Sequence, residues 1–342
     1  MYDETSVCID SFEVKIVGRN RRWLCLLSLT GILILILDGK TALSGAAEGI
    51  ELCLRTVIPA LFPFIVLSSV FLSCATAFPW KETAFSTVFR FPQGEGFLTL
   101  PCFLGGYPVG AQSVCNAYRE GRLRKDTAQR LLAFSNNAGP SFVFGVVGQM
   151  FPKAWLPWAL WGIHIAGALA AARCVSNEDS APHSIRQPVQ LKEDLMLGSV
   201  RTMGVICGWV ILFRVIITFL DRWFLWCLPE NLRIALIGLL ELSNGCCELS
   251  KIADIRVRFV LCSGMLAAGG LCVTAQTASV TKGLSLRYYF LGKIIQILVS
   301  LVISFGIMYQ TVLPLLFLLF LFFLNSCRTG KKRGGNPSLS GV

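Results

Sequence analysis

Charge is scarce in this chain. Asp, Glu, Lys and Arg make up 15% of its 342 residues, against about 25% in soluble globular proteins. Histidine is scarcer still: His164 and His183 are the only two, and they stand in different segments. Such a pair makes no ligand set, so neither a structural zinc site nor any other cofactor is expected. The 14 cysteines contain no C-x-x-C, and most sit inside apolar runs, as Cys25, Cys53, Cys207 and Cys262 do. Free cysteine in such places behaves as a small hydrophobe. Only the adjacent Cys246 and Cys247 would suit redox or metal chemistry. The apolar stretches hold no Ser–His dyad, aspartate pair or H-E-x-x-H helix, so nothing points to an enzyme.

What the chain has instead is apolar length. Hydrophobic residues make up 54% of it, and the mean hydropathy is +0.64. Long apolar stretches recur from Trp23 to Leu324, which predicts an all-α polytopic protein with most of its chain in lipid. The net charge of +11 sits in short connectors and a tail: Arg19, Arg21 and Arg22 before the first apolar run, Arg328, Lys331, Lys332 and Arg333 after the last. This is the pattern of cytoplasmic loops. No basic groove with stacking aromatics can be drawn, so membrane lipid is the expected partner and nucleic acid is not. The segment from Arg19 to Leu37 has some features of a signal peptide, but its polar leader is long, and a retained first span fits better.

Ten apolar stretches can be marked: 23–37, 50–73, 97–118, 131–151, 154–173, 195–220, 232–250, 256–281, 284–308 and 311–325. Glycine pairs interrupt 97–118 and 256–281. With these two re-entrant and the other eight crossing, the basic connectors collect on one side, which puts both termini in the cytoplasm. The expected organisation is a cytoplasmic segment 1–22, a membrane half 23–173, a polar linker 174–194, a second membrane half 195–325 and a basic cytoplasmic tail 326–342. The most basic connector, 119–125, suits a solvated turn, with anionic lipid as a secondary contact.

The two interruptions echo each other. GGYPVGAQS at 105–113 and GGLCVTAQT at 269–277 share Gly105/Gly269, Gly106/Gly270, Val109/Val273, Ala111/Ala275 and Gln112/Gln276. Glycine leaves the backbone unshielded, and Pro108 removes a donor and clashes with the preceding turn. A helix broken in lipid strands N–H and C=O groups at several kcal/mol each, so it survives only against protein or a wet cavity. Transporters place substrate at such breaks; close helix packing through small residues is the other use of glycine in membranes. Amides beside the breaks favour the cavity: Gln112 and Gln276, with Asn136, Asn137 and Asn244 in other spans. Amides donate and accept without charge, which suits a neutral hydrogen-bonding solute. Ser135, Ser141 and Thr274 add hydroxyls. A second echo runs in the opposite order: Leu131-Leu132-x-x-Ser135-Asn136 follows the first glycine motif, but Leu239-Leu240-x-x-Ser243-Asn244 precedes the second. Two charges fall in mid-span, Glu241 and Arg214. They are expected either to pair with each other or to leave Glu241 as a proton or sodium coupling site.

These stretches, with LLAFSNNAGPSFVFG at 131–145 and LLELSNGC at 239–246, resemble the nucleoside-recognition or Gate domain membrane proteins. Within them the chain looks most like the YlbJ group of sporulation membrane proteins, over residues 40–310. The resemblance implies a polytopic protein of the spore-forming cell with re-entrant, solute-binding segments. Concentrative nucleoside transporters carry a Gln-Thr-Glu-type hairpin motif; here no acidic residue follows Gln112. The resemblance makes Gln112, Gln276, Asn136, Asn137 and Asn244 candidates for a solute site; the helix breaks themselves add Gly105, Gly106, Pro108, Gly269 and Gly270, and the mid-span charge adds Glu241 for ion coupling. Transport of a small polar solute is the leading function, and a non-transporting membrane scaffold for spore formation is the alternative.

Overall fold

The computed structural model describes residues 10–75, 88–89, 91–92, 95–175 and 195–312, all helix, turn or coil without a strand. The linker (from residue 176), the 311–325 stretch beyond residue 312 and the basic tail fall outside the described residues. Five helical stretches among those described are long and apolar enough to cross a membrane: Gly39–Phe71, Trp155–Val175, Leu195–Trp223, Ile255–Val280 and Arg287–Tyr309.

The chain begins with α1 (Asp10–Leu37), whose apolar run from Trp23 to Leu37 is largely exposed, as a lipid-facing helix would be. Asp38 caps α2 (Gly39–Leu52) by accepting from the Thr41 amide at 3.3 Å. Hydrogen bonding by Thr41, helped by Arg222, holds the Asp38 carboxyl below its ordinary range. A π-helical segment, Cys53–Val57, joins α2 to α3 (Ile58–Ala75). Pro59 and Pro63 follow it directly, and each removes a helical donor and crowds the carbonyl four residues back; the wider turn before them accommodates that loss.

The inner segments are short and interrupted. They are α4 (Thr99–Leu104) and α5 (Val109–Arg119), then α6 (Lys125–Leu131) and α7 (Pro140–Gly145). The long helices α8 (Trp155–Val175) and α9 (Leu195–Trp223) come next. They are followed by α10 (Glu230–Leu240) with α11 (Leu242–Leu249), α12 (Ile255–Ala268) with α13 (Gly270–Val280), and α14 (Arg287–Tyr309). Each half therefore runs long helix, broken segment, broken segment, long helix. The long helices pair across the halves, α2–α3 on α9 and α8 on α14, and the broken segments lie between them.

Four segments are interrupted, where glycine pairs alone pointed to two. The additional breaks fall in 131–151, at residues 132–139, and in 232–250, at Glu241, both expected to cross plainly. Both carry the Leu-Leu-x-x-Ser-Asn motif, so the second echo marks breaks just as the first does. This also explains its reversed order. Each half has one glycine break and one Ser-Asn break, packed on each other, but in opposite sequence. A methyl on Gly110 would sit 1.8 Å from the Ser135 carbonyl oxygen, a contact only glycine permits. In the other half Gly269 and Gly270, at φ 71° and 83°, turn the chain beside the Gly238 and Leu239 carbonyls.

Helix α14 shows how such a bundle is patterned. Lys293, Gln296, Ser300 and Ser304 lie on one face and are buried, whereas Leu291, Ile294, Leu298 and Phe305 are exposed. A soluble amphipathic helix would turn the apolar face inward; here lipid takes that face and the polar one meets protein.

Candidate functional site

The halves meet at their breaks. The Tyr107 hydroxyl donates to the Leu266 carbonyl at 2.6 Å, and a methyl on Gly269 would lie 3.5 Å from the Tyr107 ring. Asn136 Nδ2 donates to Thr277 Oγ1 at 2.7 Å. The two glycine-broken stretches thus approach one another, and Tyr107 and Thr277 join them to the Ser-Asn break of the first half.

Glu241 is the extended residue between α10 and α11 and is 2% exposed. Its carboxylate caps α11, accepting from the Ser243 amide at 3.1 Å and from the Asn244 amide and side chain at 2.7 Å each. The expected direct Glu241–Arg214 pair does not form. Arg214 donates through Nε to Glu48 at 2.8 Å, also reaches that carboxylate through Nη2, and donates through Nη1 to Asn244 Oδ1 at 3.1 Å. Asn244 therefore lies between the two charges, donating to one and accepting from the other. The helix N-terminus supplies the partial positive charge that a direct arginine would have supplied. Glu48 was missed because it stands before the apolar run that starts at residue 50; in the structure α2 carries it into the same long helix.

Three cavities follow one face of α9. At one end Glu48, Arg55, Arg214, Asn244 and Glu248 line an opening of about 300 Å³. In the middle Tyr107, Ile206, Val210, Glu241, Ser243 and Gln276 surround a void of about 40 Å³. At the other end Ser69, Gln112, Asn116, Gly198, Arg201 and Thr202 line a cleft of about 350 Å³. From Gly198 to Arg214 the helix rises about 24 Å, most of a hydrocarbon core of about 30 Å. An apolar cluster borders both the middle void and the Gln112 cleft: its Val57, Ile206 and Val210 line the void, and its Ile65 and Val109 line the cleft.

The candidate solute residues are therefore divided among several places. Gln276 and Glu241 share the central void, and the Gln276 amide has only the Cys272 sulphur, 3.4 Å away, as a weak acceptor. Gln112 lies in the end cleft, apart from Gln276 despite their matched motifs. Asn244 joins the void to the opposite opening. Gly105, Gly106 and Pro108 shape the first break, and Gly269 and Gly270 the last.

Asn136 and Asn137 belong to a polar cluster that the sequence reading did not find. Lys293, 6% exposed, donates to the Asn136 carbonyl at 2.8 Å and to Gln296 Oε1 at 3.2 Å. Its ammonium lies 5.0 Å from the Tyr107 ring centre and 5.8 Å from that of Tyr289. Gln296 Nε2 donates to Asn137 Oδ1 at 3.0 Å and to the His164 carbonyl at 3.3 Å. Asn137 Nδ2 donates to the Cys102 and Phe134 carbonyls, and His164 Nε2 accepts from the Ala138 amide at 3.0 Å. The buried Asn136 Oδ1, Ser135 Oγ and His164 Nδ1 have no partner. A charge at mid-bilayer costs about 2.5–3.5 kcal/mol on insertion scales, so it should face protein or water and carry a function. One lysine in YYFLGKIIQIL, with a glutamine three residues on, was the signal available in the sequence.

Among the described residues the cysteines are free, with Cys246 buried and Cys247 exposed, and no His, Cys, Asp or Glu group is arranged to hold a metal.

The chain is similar to the sporulation integral membrane protein YlbJ of Bacillus subtilis (strain 168), with 24% identity over 307 aligned residues and 75% of each protein covered. No protein-family model matches the chain, and no solved structure matches it significantly.

Proposed function

We propose that this protein is a secondary transporter of a small polar, nucleoside-like solute that serves spore formation, and that it catalyses no reaction. The observation that carries this is the row of three cavities along α9, with a buried carboxylate and a weakly satisfied amide in the middle one. Broken helices in transporters place substrate in the same kind of position. The likeness to YlbJ supports a place in sporulation, and the Gate-type motifs support a solute of nucleoside character. A void of about 40 Å³ is far below the about 300–1,000 Å³ of a small-molecule site. The conformation is thus a closed one, and the site must widen to admit solute. The apolar cluster around Ile206 and Val210 closes one end; the Arg214 pairings with Glu48 and Asn244 close the other. Glu241 serves as the coupling carboxylate, and both termini lie in the cytoplasm, where the basic connectors collect.

The test is uptake by proteoliposomes offered a panel of labelled nucleosides, bases and sugars. At least one compound should accumulate with the wild type and fail to accumulate with Gln276→Ala. Uptake no greater than in empty liposomes across the whole panel would count against transport, and equal uptake by Gln276→Ala would remove the central void as the site.

A further inference from the structure

We propose that Lys293 is a resident cation, its ammonium standing where broken-helix transporters bind a coupling metal ion, so that this protein needs no sodium at that break. In such transporters the carbonyls freed by unwinding coordinate the ion. Here residues 132–139 are unwound, and the freed Asn136 carbonyl accepts from the Lys293 ammonium at 2.8 Å.

The rest of the surroundings also suit a cation. Gln296 turns its oxygen to the lysine at 3.2 Å because both of its amide hydrogens are committed, to Asn137 Oδ1 and the His164 carbonyl. The rings of Tyr107 and Tyr289 add their negative faces from two further directions. A further oxygen, Asn136 Oδ1, is buried beside them without a donor. No carboxylate is among the ammonium's contacts, and His164, on α8, accepts a backbone amide at Nε2. With two oxygens and two rings around Nζ, the ammonium's sides are occupied, which leaves no place for a solute anion. Lysine supplies here, through a covalent tether, the charge that sodium would supply by binding.

What the ammonium would be coupled to rests on the transport reading above, but its role as a fixed cation does not, and the experiment reads no transport. Purified protein is melted in sodium, lithium and choline chloride at equal ionic strength. Wild-type protein should melt at the same temperature in all three. Lys293→Ala, which empties the place, should melt about 2–4 °C lower in choline and regain at least half of that loss in sodium or lithium. Lys293→Met, which fills the place with an apolar chain, should lose stability equally in every salt. If Lys293→Ala yields no folded protein in choline, purification in sodium throughout becomes the deciding arm, with recovery supporting the proposal and failure overturning it. Specific stabilisation of the wild type by sodium, or an equal loss for Lys293→Ala in all salts, also overturns it.

Discussion

Glu241 and Lys293 are both buried at helix breaks, yet Glu241 borders a void, whereas Lys293 is met by oxygens and aromatic rings. The carboxylate is met by two backbone amides and the Asn244 side chain, and one side of it remains next to empty space. The ammonium is held by a carbonyl, an amide oxygen and two aromatic rings. Burial alone therefore does not mark a working charge. A charge beside space can meet a solute or gain a proton, whereas an enclosed one fixes the backbone around it. The two are linked through Tyr107, which lines the void and lies against Lys293.

The largest effect is expected from Gly110→Ala. Its methyl would clash with the Ser135 carbonyl and push apart the break that Lys293 holds, at a cost of about 3 kcal/mol or more. The yield of monodisperse protein after extraction should collapse. Glu241→Ala comes next: it strips the cap of α11 and leaves buried donors unpaired, costing about 2–3 kcal/mol in thermal unfolding. Glu241→Gln, which keeps the shape and an acceptor, should cost less than half as much and still abolish uptake. If Glu241→Gln transports normally, the carboxylate is a cap and nothing more, and the contrast with Lys293 disappears.

Arg214→Ala should cost about 1–2 kcal/mol by unpairing Asn244 Oδ1. Glu48→Ala should cost about 0.5 kcal/mol, because its side chain is 43% exposed and surface ion pairs contribute little. A larger loss for Glu48 than for Arg214 would place the important contact at the mouth of the path. The smallest stability change is expected for Gln112→Ala, in the outer cleft, within about 0.5 kcal/mol; Gln276→Ala, at a buried position, should cost about 1 kcal/mol. Uptake should separate them: Gln276→Ala should lose it, whereas Gln112→Ala, in the outer cleft, should retain a measurable part.

The class of protein and the glycine breaks were legible because both depend on local chemistry. Apolar length requires lipid, and paired glycines with a proline cannot continue a helix. The breaks at 132–139 and Glu241 were written as Ser-Asn after a Leu-Leu pair, a weaker signal, because Ser and Asn are tolerated in helices until a neighbour takes their backbone groups. Tertiary contacts decided the partners. Arg214 has both Glu48 and Glu241 within its sequence-level reach, and only the packing of α2 on α9 selects Glu48. Likewise, the matched positions of Gln112 and Gln276 gave no hint that the two would line different cavities.

The central claim is that the void beside Glu241 opens in turn toward each side of the membrane. The most direct measurement is thiol labelling of Ser243→Cys, which lines that void, in a background lacking the other cysteines, with an impermeant reagent applied from one side and then the other. The account predicts labelling from both sides, slowed by a transported solute. Protection from both sides under native conditions, with full labelling once the protein is unfolded, would contradict it.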